Sequence, residues 1–533
     1  MQRCSIKRNQ IFKEKGRLYN MKNQSKMLNK YCDPFSDKAK KLALKLDAAT
    51  IDQDTENLKS LFDDAENILR QENDASKAMI YYSLGTAHSD LANLTGDQTE
   101  MTFQKVLYYF RKSINLIEQD EYKKDIYRPC VLGLKEILYT NYANALDYCG
   151  RKIAAIEQYK KVLSFNSNFG MALGNLGQVY QHYAMLEYDN GHRDLFHYFA
   201  YHYLNKATKC NDPNTHDDAK KCFETTMNIY DPEYIKNVLT VELSFNQYEY
   251  DNPEELAYRK WCLQKGLFLN TLNDLPIAEL CFAADIIQLP NMIVGVGAKP
   301  IFHGMFSQIK QEYIYARYIY YSTLNSNDQP HFADKETYIK AHTDYAQYSI
   351  RLEKLKTAFK TLYGMFDKIA FFLEHYFDLG MNERDINFSS IWQDSVGFGK
   401  RKYHYKNLLN PKQNFALSSL YWISKDFFEK FEDSPNPELK RIKEIRNALE
   451  HKYVKITDSF FDKLTEEYGD GLALYISEKE LYDATFMLLK ILREAIINLS
   501  LCVNIAEKPK REESKGKLIM PIRLMDYEDD WKI

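Results

Sequence analysis

Apolar residues recur along most of the chain at intervals of three and four, the period of helices with one buried face. Strict alternation of apolar and polar positions, the mark of a half-buried strand, is rare. The pattern predicts an all-α protein. In the C-terminal part, MFSQIKQEYIYARYIYYSTL reads as one helix, and a long pattern runs from Lys335 to Leu379. Gly380 supplies a C-terminal stop. Further helices are expected near 412–432, 437–453 and 478–505. Asn436 and Pro437 suit the cap and first turn of the second of these. Between 236 and 302 the period is lost, and LPNMIVGVGAKP concentrates Gly and Pro as a connector would. GVGAKP lacks the spacing and the Gly-Lys-Ser/Thr of a phosphate loop.

The earlier half repeats itself. Tyr139 and Leu173, Ala143 and Gly177, and Leu146 and Tyr180 are each 34 residues apart. Ala155, Tyr159 and Val162 occupy the place of a second helix between them. Leu84 and Gly85, followed by Val106, Phe110 and Ser113, form a looser unit. Ala200, Leu204 and Ala207 suggest part of another, and Ala219, Phe223 and Thr226 a last one. A 34-residue period with a small residue at the helix crossing resembles a degenerate tetratricopeptide (TPR) array. Such an array stacks helix pairs and offers a groove for a peptide or protein partner. The expected organisation is a lead at 1–40, TPR-like repeats at 41–235, an irregular helical connector at 236–302, a helix bundle at 303–508 and a solvated tail at 509–533.

Composition narrows the function. The chain has 533 residues, 45% of them hydrophobic, which is ample for packed cores. Its net charge of −3 excludes a nucleic-acid coat over the whole surface, though not a local basic site. No apolar run is long enough to cross a membrane, and the basic N-terminus lacks the apolar stretch of an export signal. Nine scattered cysteines without a C-x-x-C pair argue against a disulfide scaffold or a zinc site. A cytoplasmic location follows as an expectation. Nothing in the pattern calls for a metal or a cofactor.

The strongest local signal is ELKRIKEIRNALEHKYVKI, from Glu438 to Ile456. It holds Arg446 and His451 with four residues between them, Asn447 directly after the arginine, and lysines at 440, 443, 452 and 455. This stretch resembles the Arg-x4–6-His signature of the HEPN superfamily. LKTAFKTLYGMFDKIAFFLEHYFDL, INFSSIW, ALSSLYWISKDFF and LLKILREAIINLSLCV are similar to segments of one HEPN subgroup, whose members carry a TPR-like N-terminal half. The resemblance covers roughly residues 300–525. It implies a helix bundle that dimerises, and in many members a metal-independent endoribonuclease active in RNA processing, as a toxin or in anti-phage defence. It puts Arg446 and His451 at the catalytic positions and Asn447 at the supporting one.

The chemistry of these residue types agrees. Cutting RNA without a metal requires a group that takes the ribose 2′-hydroxyl proton and a group that steadies charge on the phosphate. Histidine, with an ordinary pKa of about 6.5, exchanges protons at neutral pH. Arginine keeps its charge and presents a planar fork to phosphate oxygens. Lys443, Lys452 and Lys455 are candidate contacts to RNA phosphates, or simply a solvated face. Five residues on an ideal helix separate Arg446 from His451 by about 140°. Either the helix loosens near His451, or a cleft between two subunits receives the pair from two directions. A second reading stays open, in which the protein is a non-catalytic TPR and HEPN scaffold that binds proteins or nucleotides. Elsewhere, His375 is expected in the core, and Trp392, Tyr421 and Trp422 as core rings.

Overall fold

A computed structural model describes residues 32–532 apart from 97–98, 243–249, 278, 296, 325–329, 341–345, 396–400, 404–412, 429–436, 458–470, 519, 521–523 and 526. The fold is all-α, as the apolar period predicts, with two small strand pairs added. Eleven helices lie before residue 266 among the described residues, the last of them inside the expected connector: α1 (Asp37–Ile51), α2 (Thr55–Leu69), α3 (Asp74–Thr95), α4 (Glu100–Ile117), α5 (Arg128–Tyr148), α6 (Lys152–Phe165), α7 (Gly170–Ala184), α8 (Asn190–Lys209), α9 (Asp217–Met227), α10 (Pro232–Glu242) and α11 (Pro253–Lys265). Their starts are written locally. Ser36, Asp54, Asn73, Thr99 and Asp189 each accept a backbone N–H of the first turn through their side chains, which satisfies donors a helix end leaves open.

Neighbouring helices pair as hairpins, most extensively α3 with α4, α5 with α6, and α7 with α8. The small residues that set the 34-residue period lie at crossings. Ala143 is fully buried, and a β-carbon at Gly177 would press on Leu204 and the Ala200 carbonyl of α8. Short 3-10 turns at Thr271–Asp274 and Leu280–Phe282 punctuate the segment before residue 300. That segment is more than a spacer, because Leu267, Phe268, Leu269 and Leu272 are buried in the core.

The C-terminal bundle comprises α12 (Ile301–Leu324), α13 (Ile350–Phe377), α14 (Phe415–Phe428), α15 (Pro437–His451) and α16 (Glu478–Glu513). Helix α16 is its axis, with α12, α13 and α14 packed on it. Helix α13 starts at Ile350, not at Lys335. Ser349 caps it by accepting the Leu352 N–H at 3.3 Å, and Gln347 just before it pairs with Ile456 as an isolated bridge. Its last turn closes on Asp378, a left-handed residue, before Gly380. Pro437 opens α15 as expected, while the proposed cap Asn436 lies outside the described residues. Strands β1 (Gln393–Ser395) and β2 (Arg401–Tyr403) pair antiparallel, and β3 (Tyr453–Thr457) and β4 (Ala473–Ser477) pair in parallel. Trp392, Tyr421 and Trp422 are core rings. His375 is not in the core: its ring is partly exposed and its Nδ1 lies 2.9 Å from the Phe371 carbonyl.

One apolar core runs from Phe35 to Val503 without a break between the halves. A buried ionic cluster crosses the same junction. Asp426 of α14 accepts two hydrogen bonds from Arg111 of α4, at 2.8 and 2.7 Å, and one from Arg151, at 2.8 Å. Arg151 also reaches Glu494 of α16 at 2.7 and 3.3 Å. Beside it, Gly150 turns the chain from α5 to α6 at φ +81°, and a β-carbon there would lie 2.5 Å from the Phe415 carbonyl oxygen. Glycine is required twice at this position, for its left-handed backbone and for the approach of α14. Gly150→Ala is expected to cost about 2 kcal/mol or more, read as a fall in the urea midpoint at unchanged slope.

Candidate functional site: the Arg446 to His451 helix

Helix α15 docks through Leu439, Ile442, Ile445 and Ala448, all buried. This three-residue recurrence fixes which side chains face out, namely Lys440, Glu444, Asn447, Glu450 and His451. Arg441 ties the helix to its surroundings. It meets Glu480 of α16 at 2.5 Å and Glu444 at 3.3 Å, and it donates to the Tyr475 carbonyl of β4 at 3.3 Å.

Arg446 lies on the margin between the buried and the exposed face. Its guanidinium sits over the ring of Tyr363 on α13, 5.4 Å from the ring centre. Nη1 donates to Oδ1 of Asn447 at 3.1 Å. One turn along α13 from Tyr363 lies Asp367, whose Oδ1 accepts the Phe388 N–H at 3.0 Å. The protein around Asp367 pushes its carboxyl above the usual range, while the Phe388 N–H and the charge of Arg446 pull it back. Burial pushes the Tyr363 phenol up to about 12, against the pull of Arg446, so the ring stays neutral.

His451 is the last residue of α15 and is exposed. It has no hydrogen-bond or ion-pair partner among the described residues. The helix does not loosen before it, because the Lys452 N–H still donates to the Ala448 carbonyl at 2.9 Å. Strand β3 begins two residues later and anchors the exit of the helix by pairing with β4. The structure therefore brings Arg446 and Asn447 into contact and leaves His451 on its own at the helix end.

The three candidate lysines separate. Lys452 is exposed and Lys443 half-buried. Lys455 is withdrawn, at 3% exposure, with its ammonium over the rings of Tyr453 and Tyr475. It is not placed to meet an RNA phosphate. Both sides of β3 are covered from Lys455 onward, which a reading of α15 as running on to 453 does not anticipate. Sequence reasoning also missed Tyr363 and Asp367. Their i, i+4 spacing puts them on one face of α13, but only the tertiary contact shows that Arg446 meets that face.

No group of three metal-ligating side chains occurs among the described residues. No helix there is long and apolar enough to cross a membrane. None of the described cysteines forms a disulfide.

The C-terminal helix bundle matches the family model of an HEPN domain. The match is to the LA2681-like branch of the superfamily, over residues 293–506, which takes in α12 to α15 and most of α16. Neither a curated protein nor a solved structure matches the chain.

Proposed function

We propose that the HEPN domain is a metal-independent endoribonuclease in which Arg446 and His451 carry the reaction. The observation that supports this reading best is the placement of the two side chains. Arg446 is held on an aromatic platform with its fork bonded only to Asn447 among the described residues, and His451 projects from the end of the same helix with no partner for its imidazole among them. The imidazole accepts the ribose 2′-hydroxyl proton, and the resulting oxygen attacks the adjacent phosphorus. The guanidinium steadies the charge on the phosphoryl oxygens. The 5′-oxygen leaves, taking up a proton, and the upstream fragment keeps a 2′,3′-cyclic phosphate. Asn447 steadies the arginine. Lys443 and Lys452 contribute charge along the RNA path.

Because α15 stays helical up to His451, the angle between Arg446 and His451 is not relieved within one chain. The proposal therefore includes a homodimer, in which α15 from each copy lines a shared cleft. In this reading the N-terminal hairpins act as TPR-like repeats that take a peptide or protein partner, and the protein works as a toxin or in anti-phage defence.

The purified chain is expected to cut single-stranded RNA in EDTA and to leave the same sequence intact when every 2′-oxygen is methylated. Cutting of the methylated strand would refute attack by the 2′-hydroxyl. Tight partner binding with no cleavage would favour the scaffold reading.

A further inference from the structure

Arg446 does not reach its position by the geometry of α15 alone. On the neighbouring helix, Tyr363 is 7% exposed, and its ring packs edge-on against Phe427 and Phe366 with centroids 6.0 and 6.5 Å away. Phe366 in turn packs on Phe388 and Phe427. The platform under the guanidinium is therefore wedged between α14 and the chain after α13, and has little freedom to tilt. A wedged ring face thus meets the guanidinium from α13, while Asn447 holds its Nη1 edge from α15.

We infer that Tyr363 is a positioning residue for Arg446, which sets the plane of its fork before RNA arrives. This rests on the nuclease reading of Arg446 given above.

The physical case has two parts. A guanidinium is planar, and its attraction to an aromatic face favours arrangements in which the cation lies over the ring. Against a wedged ring this fixes the plane. A cation–ring contact leaves rotation within that plane nearly free. The Asn447 amide oxygen at 3.1 Å limits that freedom, which a long, rotamer-rich side chain otherwise loses on meeting substrate. Preorganised charge is the form in which an arginine contributes most to a developing negative centre. Tyr363 touches no substrate in this scheme; it acts through Arg446.

The test uses the full chain and a fluorescent RNA, with kcat and KM measured separately. Tyr363→Leu, which removes the ring face, is expected to lower kcat about 10- to 100-fold, the scale of a misplaced catalytic group, with KM unchanged. Tyr363→Phe retains a ring face and is expected to stay within about twofold of the parent. A kcat for Tyr363→Leu equal to the parent's, while Arg446→Ala is inactive, overturns the inference and leaves the nuclease reading standing. So does a loss in Tyr363→Phe as large as that in Tyr363→Leu. If the parent chain cuts no RNA, or Arg446→Ala cuts as well as the parent, the nuclease reading fails and the inference with it.

Discussion

His451→Ala is expected to reduce RNA cleavage by about 100- to 10,000-fold, the range for removing a positioned proton-transfer group. Arg446→Ala should cost a comparable factor through the charge it steadies. Neither change disturbs the fold in the same measure. His451 is exposed at a helix end and without a partner among the described residues, and Arg446 is only partly sheltered. Both variants should therefore keep the parent's urea midpoint and its oligomeric state by sedimentation. The two losses should also fail to add, because groups that act as a unit are strongly non-additive. The double variant is expected to be little worse than either single one. Full activity in His451→Ala would remove the imidazole from the mechanism.

Asp426→Ala is expected to destabilise the whole chain by about 3–5 kcal/mol, the cost of stranding buried charge by removing one partner. Asp426 receives both Arg111 and Arg151, and all three side chains are at most 8% exposed. Taking away the carboxylate leaves two buried guanidinium groups with Glu494 as the remaining acid close by. Because the apolar core is continuous across the junction, urea unfolding should remain a single transition, shifted as a unit. Replacing Arg111, Arg151, Asp426 and Glu494 together by apolar residues of similar volume should cost far less than the single change. A loss below about 1 kcal/mol in Asp426→Ala would show that the cluster does not join the halves. The same cluster gives the N-terminal hairpins a physical route to Arg446. Arg111 and Arg151 hold α14, α14 wedges Tyr363 through Phe427, and Tyr363 carries Arg446.

What the sequence made legible follows from which forces are local. Pro437 at a helix start is written within one turn of the chain and appears where the pattern puts it, while the helix expected over Lys335 to Leu379 spans Ile350–Phe377 and closes on Asp378 before Gly380. The Arg446 to His451 helix could be found because a short motif and the apolar residues around it lie on one element. Asp426 is different. Nothing near it in sequence announces two arginines, from 275 and 315 residues away. Tyr363 and Asp367 likewise read as ordinary positions of a long amphipathic helix. Lys455 looked like its lysine neighbours, but a five-residue strand, too short for its alternation to stand out, draws it inward. His375 erred the other way: a histidine among aromatic letters is placed at the surface by the angle of its helix.

The central claim is that Arg446 and His451 cut RNA by way of the 2′-hydroxyl. Mass analysis of the fragment ends, after RNA is incubated with the purified chain in EDTA, tests it most directly. The account predicts 2′,3′-cyclic phosphate on the upstream fragment and a free 5′-hydroxyl on the downstream one, both missing with His451→Ala. Fragments ending in 5′-phosphate, or cyclic ends that persist undiminished in that variant, would contradict it.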